Sequence, residues 1–444
     1  MSRNLANSIC ETLQRDGYQA LLVGGCVRDL LLSREPVDYD VTTNATPEQV
    51  QRLFPTAIAV GAKFGVILVP DNDGRVEVAT FRSDVGYSDG RHPDQVVYAT
   101  KPEDDVSRRD FTINGLLMRH DTGEVLDFVG GRADLNKKII RAIGDPIRRF
   151  TEDKLRMLRA VRFAARFGYN IEPATLIAIQ RLAPQIGVVS AERIREELTK
   201  LLTEGAARRG FELLDQTGLL AQLLPEVAAM KGVPQPPEYH PEGDVWIHTL
   251  MLLEGLLPNA SATLAWGVLL HDVGKPPTFR PASLTGDRIR FDGHTEVGVS
   301  MGKEILRRLR FSNDETEQIL ALVANHMKFK DVAQMRQSTL KRFVRLPNFA
   351  EHLELHRLDC LASHGKLDAY EAVQQFLAET PRDQVRPPRL VTGNDLQDMG
   401  YCPGPGFQAM LRAVEDGQLE GSIASKEEAQ NFIREHYPLS KVGR

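Results

Sequence analysis

Asp38-Tyr39-Asp40 stands a short interval after Val23-Gly24-Gly25-Cys26-Val27-Arg28-Asp29. On a strand spanning Val37–Thr42, Asp38 and Asp40 would share one face and Tyr39 would take the other. Residues 19–23 read as a buried strand that leads into the glycine pair. Gly24-Gly25 lets the backbone turn sharply and approach a ligand closely. The helical stretch Cys26–Leu32 then aims free backbone N–H groups and its dipole at the same spot. Two carboxylates beside an anion cradle suit Mg²⁺, a hard ion often completed by substrate phosphates. This is equipment for moving a nucleotidyl group from a triphosphate. Alone, each piece has a plainer reading: a solvated strand edge for the carboxylates, an ordinary turn for the glycines.

Glu152–Arg166 reads as one helix. Leu155, Leu158, Val161 and Ala165 fall on one face, while Asp153, Arg156 and Arg159 fall on another. A carboxylate beside a guanidinium can imitate the pairing edge of a base. Asp153 would accept from the exocyclic amino group of cytosine or adenine, and Arg156 would donate to ring nitrogen and carbonyl acceptors. Guanine and uracil mismatch both groups. The alternative is a surface salt bridge with arginines in solvent. A third carboxylate, Glu77 in Arg75–Arg82, is either a base or auxiliary ligand for the aspartate pair or a solvated strand residue.

A separate set lies in the second half: His248, His271-Asp272, His294, His326 and Asp359. Imidazoles and carboxylates together suit a divalent transition metal, and two clustered ions could polarise a phosphate ester and supply hydroxide.

These residues need scaffolds. With 444 residues, the chain is too long for one ordinary core. Leu5, Ile9 and Leu13 mark an amphipathic first helix, and Thr46-Pro47 starts another. Ala57–Val60, Gly65–Pro70 and Arg75–Phe81 read as strands, with Asp71–Gly74 as a turn. From about Arg148 the pattern is helical almost throughout. The proline-rich stretch Gly232–Pro241 reads as a linker or exposed loop, and Pro381–Pro388 as a second break. The expected fold is α+β: a small mixed-sheet head (1–140), an all-α neck (141–225), an all-α metal-binding domain (226–380) and a helical tail (381–444).

The net charge of −5 gives no global basic field, yet residues 141–210 hold 14 Lys/Arg against 8 Asp/Glu. A local basic stripe fits a phosphate-backbone partner. The four cysteines form no C-x-x-C pair, which favours a reducing cytosol and a cytoplasmic protein. No signal-peptide pattern and no membrane-spanning run is evident.

Taken in order, the motifs resemble the bacterial class II tRNA nucleotidyltransferases, the CCA-adding enzyme family, which shares ancestry with bacterial poly(A) polymerase. Leu21–Asp29 with Asp38-Tyr39-Asp40 resembles the family's catalytic motif. Arg108-Arg109-Asp110-Phe111-Thr112-Ile113-Asn114 resembles the motif implied to hold ribose and triphosphate, with Gly115 where alanine is usual. Glu152-Asp153-x-x-Arg156 resembles the amino-acid template for CTP and ATP, and Ser190–Leu198 the last neck motif. Tyr87–Thr100 is similar to the family's flexible loop, implied to assist the switch from CTP to ATP. Gly61–Gly65 has one lysine, where polyadenylating members are more basic. The histidine set resembles the HD phosphohydrolase superfamily in its two-metal form.

The resemblance implies an Mg²⁺-dependent enzyme that adds CCA to tRNA from CTP and ATP. Asp38 and Asp40 are then catalytic and metal-binding. Gly24, Gly25, Arg28, Arg108, Arg109, Asp110, Asn114, Asp153, Arg156, Arg159 and Arg162 are expected to bind the nucleotide. His248, His271, Asp272, His294, His326 and Asp359 are expected to bind metal for a phosphatase or phosphodiesterase. Poly(A) or A-only addition is the alternative within the class, and a phosphohydrolase acting on nucleotides or RNA ends is the alternative outside it.

Overall fold

In the first helix, Ser2–Arg15, the residues Ala6, Ile9, Cys10 and Leu13 are buried at one-turn spacing, and Gly17 ends the turn with φ 89°. The computed structural model describes residues 2–61, 65–71, 74–86 and 95–439. It divides into two compact units. One is Met1–Ala229 with Leu256–Ala265 and Ile305–Phe311; the other is Met230–Gly255, Trp266–Glu304 and Ser312–Arg444.

The first unit opens on a seven-stranded mixed sheet. Its strands are β1 (Ala20–Val23), β2 (Asp40–Thr43), β3 (Ile58–Gly61), β4 (Val66–Asp71), β5 (Gly74–Thr80), β8 (Leu116–Met118) and β9 (Val125–Asp127), in the order β3-β4-β5-β2-β1-β8-β9. Only β2 and β5 pair in parallel; the other pairings are antiparallel. β1 is buried at all four positions, which explains its unbroken apolar sequence. Pro47–Leu53 is a helix with a complete Thr46–Gln49 capping box.

Two expectations need correction. The strand expected from Val37 begins at Asp40, so Asp38 and Tyr39 precede it. The expected loop Tyr87–Thr100 contains a strand. Arg82–Val85 (β6) and Gln95–Tyr98 (β7) form an antiparallel ribbon, while Tyr87–Asp94 lie outside the described residues, as do Ala62–Phe64 and Asn72-Asp73. The neck is helical as expected, with one two-residue strand, Asn170–Ile171 (β11), pairing in parallel with Ile139–Ile140 (β10) at the end of the head.

The expected helix Glu152–Arg166 is two helices, Pro146–Glu152 and Leu155–Phe167. Asp153 is extended (φ −143°, ψ 106°), and its Oδ1 accepts the Leu155 N–H at 3.0 Å. An aspartate that satisfies a backbone donor two residues on competes with helix continuation. The second helix buries Leu155, Met157, Leu158, Ala160, Val161 and Ala164, and each large apolar side chain contributes about 1.5–3 kcal/mol of burial.

The second unit is helical. Its elements include Val245–Gly255, Asn313–Asn325 and Phe349–Ala362, with the larger part of Ala262–Leu270 and of His294–Arg308. A separate small core at the C-terminal end joins Val391, Leu396, Tyr401, Val414, Ile423 and Ile433. Among the described residues, no helix is long and apolar enough to cross a membrane.

Candidate active site and metal centre

Gly24 sits at φ 77°, where a side chain would be strained, and its N–H donates to Leu116 O at 3.0 Å. A Cβ there would lie 3.2 Å from Arg109 Nη1. The turn therefore admits a guanidinium against the backbone as well as closing the strand onto the helix Gly25–Leu31.

Asp40 opens β2 directly opposite Glu77 on β5. Tyr39 is buried at 1% exposure, and Asp38 lies on the open side. Burial pushes the Asp40 carboxyl up to about 6; Glu77 and Asp38 add repulsion, and Arg109 opposes them. The register sets Glu77 beside Asp40, and a hard divalent cation would relieve the repulsion that raises the Asp40 carboxyl.

Asp40 opens into a cavity of about 480 Å³. Gly24, Gly25, Arg28, Asp40, Arg108, Arg109, Asp110, Asn114, Asp153, Arg156 and Arg159 line it, together with Leu155, Phe163 and Arg193. Asp38, Glu77 and Arg162 are not in the lining. Arg162 is buried in an ion pair with Glu197 (2.7 Å) and a second contact to Glu204 (3.3 Å).

The guanidiniums are anchored before any ligand arrives. Asp105 holds Arg108 at 2.7 Å and Arg109 at 3.0 Å. Arg28 Nη1 donates to Asn114 Oδ1 (2.7 Å), Asn114 Nδ2 to Asp110 Oδ1 (3.1 Å), and Arg159 Nε to Asp110 Oδ2 (2.8 Å). Burial pushes the Asp110 carboxyl up, but Arg159 and Asn114 outweigh it and hold it at about 2. Arg28 also lies over the Phe167 ring, 4.6 Å from its centre. A Cβ on Gly115 would come within 2.9 Å of Val129 Cγ2, so the glycine beside this chain of contacts is the residue that fits.

Asp153 and Arg156 do not pair with each other as an i, i+3 bridge would. Asp153 is gripped by Arg193 (2.8 Å), and Arg156 donates to Arg149 O, Arg108 O and Glu152. Both nevertheless line the same cavity. Arg193 falls in the Ser190–Leu198 motif, but a contact across 40 positions leaves no local pattern from which its partner could be read.

In the second unit all six expected ligands converge. His248 Nε2 lies 3.1 Å from Asp359 Oδ1 and 3.4 Å from His271 Nε2. His271 Nε2 lies 3.2 Å from Asp272 Oδ2. His294 and His326 approach through their Nε2 atoms at 3.3 Å, with Asp272 Oδ1 at 3.7 and 3.6 Å. Two donor groups result, His248–His271–Asp359 and Asp272–His294–His326, each with ligand atoms within 4.8 Å of one another. Asp272 is buried, and its Oδ1 has no hydrogen bond. Burial disfavours a charged His248, yet Asp359 and Glu242 outweigh it and raise the imidazole to about 9. An orphaned buried carboxylate oxygen amid mixed N/O donors that attract positive charge fits a divalent transition metal. The neighbouring cavity is about 930 Å³. Sequence reasoning missed Lys275, whose Nζ is 2.6 Å from Asp272 Oδ2, and Glu242, 2.7 Å from His248 Nδ1.

Comparison with known proteins covers both units. Residues 20–141 match the poly A polymerase head domain, 168–231 the probable RNA and SrmB-binding site of polymerase A, and 244–352 the HD domain. A CCA-adding enzyme of Leuconostoc mesenteroides is 45% identical over 208 residues, 47% of this chain and 52% of that protein, so the alignment spans about half of it. The CCA-adding enzyme of Levilactobacillus brevis is 42% identical over 426 residues, 96% of each chain. The crystal structure of Bacillus stearothermophilus CCA-adding enzyme in complex with CTP is similar at TM-score 0.73 and 27% identity, covering 97% of this chain and 96% of that one. Identity at this level over 96% of each chain, on a fold of the same kind, shows that the chain belongs to the CCA-adding enzyme family of nucleotidyltransferases.

Proposed function

We propose that the chain adds C, C and A to the 3′ end of tRNA, taking CTP and ATP in turn into the head cleft without a nucleic-acid template. One observation carries the reading: a single cavity joins Asp40, the Gly24–Gly25 turn, the anchored arginines and the Asp153–Arg156 pair. Full-length relatives that are CCA-adding enzymes support it over poly(A) or A-only addition. Asp38 and Asp40 would hold Mg²⁺, with Glu77 as a third carboxylate. When bound, the ion acidifies the RNA 3′-hydroxyl and screens the triphosphate. The hydroxyl oxygen attacks the α-phosphorus, the α–β bridging bond breaks, and pyrophosphate leaves. Arg28, Arg108 and Arg109 neutralise the phosphates, Asp110 steadies Arg159, and Asp153 with Arg156 reads the base edge. Arg162, buried against Glu197, acts as a structural brace for this wall. Four free thiols agree with a cytoplasmic protein. The test offers tRNA lacking its 3′ end with CTP, ATP or both, and sequences the products. Ordered C, C, A supports the reading; homopolymer or no product overturns it.

A second activity is favoured by the six converging ligands of the histidine centre. We assign His248, His271, Asp272, His294, His326 and Asp359 to a divalent transition-metal site that hydrolyses phosphate esters on nucleotides or RNA ends. Lys275 sits against Asp272 and neutralises it from the side. The proposed head, neck, HD domain and tail divide near residues 140, 225 and 380.

A further inference from the structure

The stretch Gly232–Pro241 reads as a linker or exposed loop, yet it and the residue that follows reach into the histidine centre. Gln235 is 3% exposed, and its Oε1 accepts from Lys275 Nζ at 2.7 Å, the same Nζ that lies 2.6 Å from Asp272 Oδ2. Glu242 makes the closer connection. Its Oε1 lies 2.7 Å from His248 Nδ1 and 2.8 Å from His240 Nδ1, while its Oε2 is buried without a partner.

The four ligand imidazoles are oriented in two different ways. His271, His294 and His326 each direct Nδ1 to the backbone carbonyl three residues upstream, Val268 O (2.8 Å), Phe291 O (2.9 Å) and Val323 O (2.7 Å). Those acceptors survive any side-chain substitution. His248 lies in the first turn of Val245–Gly255, and its Nδ1 meets the Glu242 carboxylate instead. His248 is fully buried, so with Glu242 in place bulk water does not compete for that nitrogen. Its Nε2 is then turned to Asp359 and His271.

We infer that Glu242 is a positioning residue of the metal centre. It accepts the His248 Nδ1–H, fixes the tautomer that leaves Nε2 as a metal donor, and strengthens that donor with its negative charge. The inference rests on the reading of the cluster as a divalent-metal site. A rival is that His240, Glu242 and His248 Nδ1 form an ion site of their own, since their ligand atoms also lie within 4.8 Å of one another. It would require one imidazole to serve two ions through both nitrogens, whereas a 2.7 Å N–O separation is that of a charge-assisted hydrogen bond.

The test titrates the full-length protein with Co²⁺, reading affinity and stoichiometry by calorimetry and coordination by the d–d absorption bands. Glu242→Ala should weaken Co²⁺ binding by about 10–100-fold at unchanged stoichiometry. Glu242→Gln keeps the shape and an acceptor oxygen but loses the charge, so it should fall between Ala and wild type. It carries the test if the Ala variant unfolds. Glu242→Asp should recover part of the affinity. Wild-type affinity in both Ala and Gln variants overturns the inference, as does a loss of one bound ion in place of weaker binding. Failure of the unaltered protein to bind Co²⁺ instead removes the metal-centre reading, and this inference with it.

Discussion

The head cleft is walled by long guanidinium side chains, each already engaged by a neighbour: Arg108 and Arg109 by Asp105, Arg159 by Asp110, Arg156 by two carbonyls and Glu152. The histidine centre uses short, buried rings, three of them tied to backbone carbonyls of their own segments. A guanidinium has several donors and a flexible stem, so it can trade an acceptor for a ligand at modest cost. A buried imidazole has two nitrogens, and once one is bonded the other has a single direction. The cleft is therefore suited to a ligand whose base changes from turn to turn. The centre is suited to ions of fixed coordination.

Breaking the rigid site should have the largest effect. Asp272→Ala removes the carboxylate that stands between both donor groups. Metal-dependent hydrolysis of a phosphate ester should fall to background in a discontinuous phosphate-release assay, while nucleotide addition continues. Loss of both activities in a folded variant would mean that the two sites are one functional unit.

In the adaptable site the effect should be on choice before rate. Arg156→Ala should raise UTP and GTP misincorporation relative to CTP and ATP by about 10–100-fold, the discrimination of one or two lost hydrogen bonds. Competition assays with sequenced products measure it. Equal slowing of all four nucleotides would reduce Arg156 to a brace for Arg108 and Arg149.

A smaller effect sharpens the account of the anchors. Asp110 is held at about 2, below the ordinary carboxylate range near 4. A depressed folded-state value stabilises the fold above the unfolded value, and that stability is lost as pH falls from about 4 toward 2. It amounts to about 2 kcal/mol, which Asp110→Asn should abolish in urea unfolding followed across that window. The same acid slope in both proteins would place the stabilisation elsewhere.

Sequence made the catalytic end of the head legible, because β1, the glycine turn and the following helix are contiguous and carry their own signals. It made the six converging histidines and aspartates legible by residue type. The break at Asp153 was hidden, since one side-chain bond to the Leu155 N–H overrides a long run of helical composition. β8 and β9 are three residues each, too short for a period to show. Arg193 and Glu242 act across contacts that composition does not announce: one lies 40 positions from its partner, the other just after a proline-rich stretch that reads as a linker or exposed loop.

We propose that Asp40, at the head of β2, organises nucleotidyl transfer in this cleft. Its direct test compares Asp40→Ala with the unaltered protein on tRNA lacking its 3′ end, with CTP, ATP and Mg²⁺, alongside a tRNA-binding measurement. Ordered C, C, A is expected on the unaltered protein. The variant should lose about a thousandfold or more in rate, several kcal/mol of transition-state stabilisation, with tRNA affinity nearly intact. Addition by Asp40→Ala at the rate of the unaltered protein would contradict it.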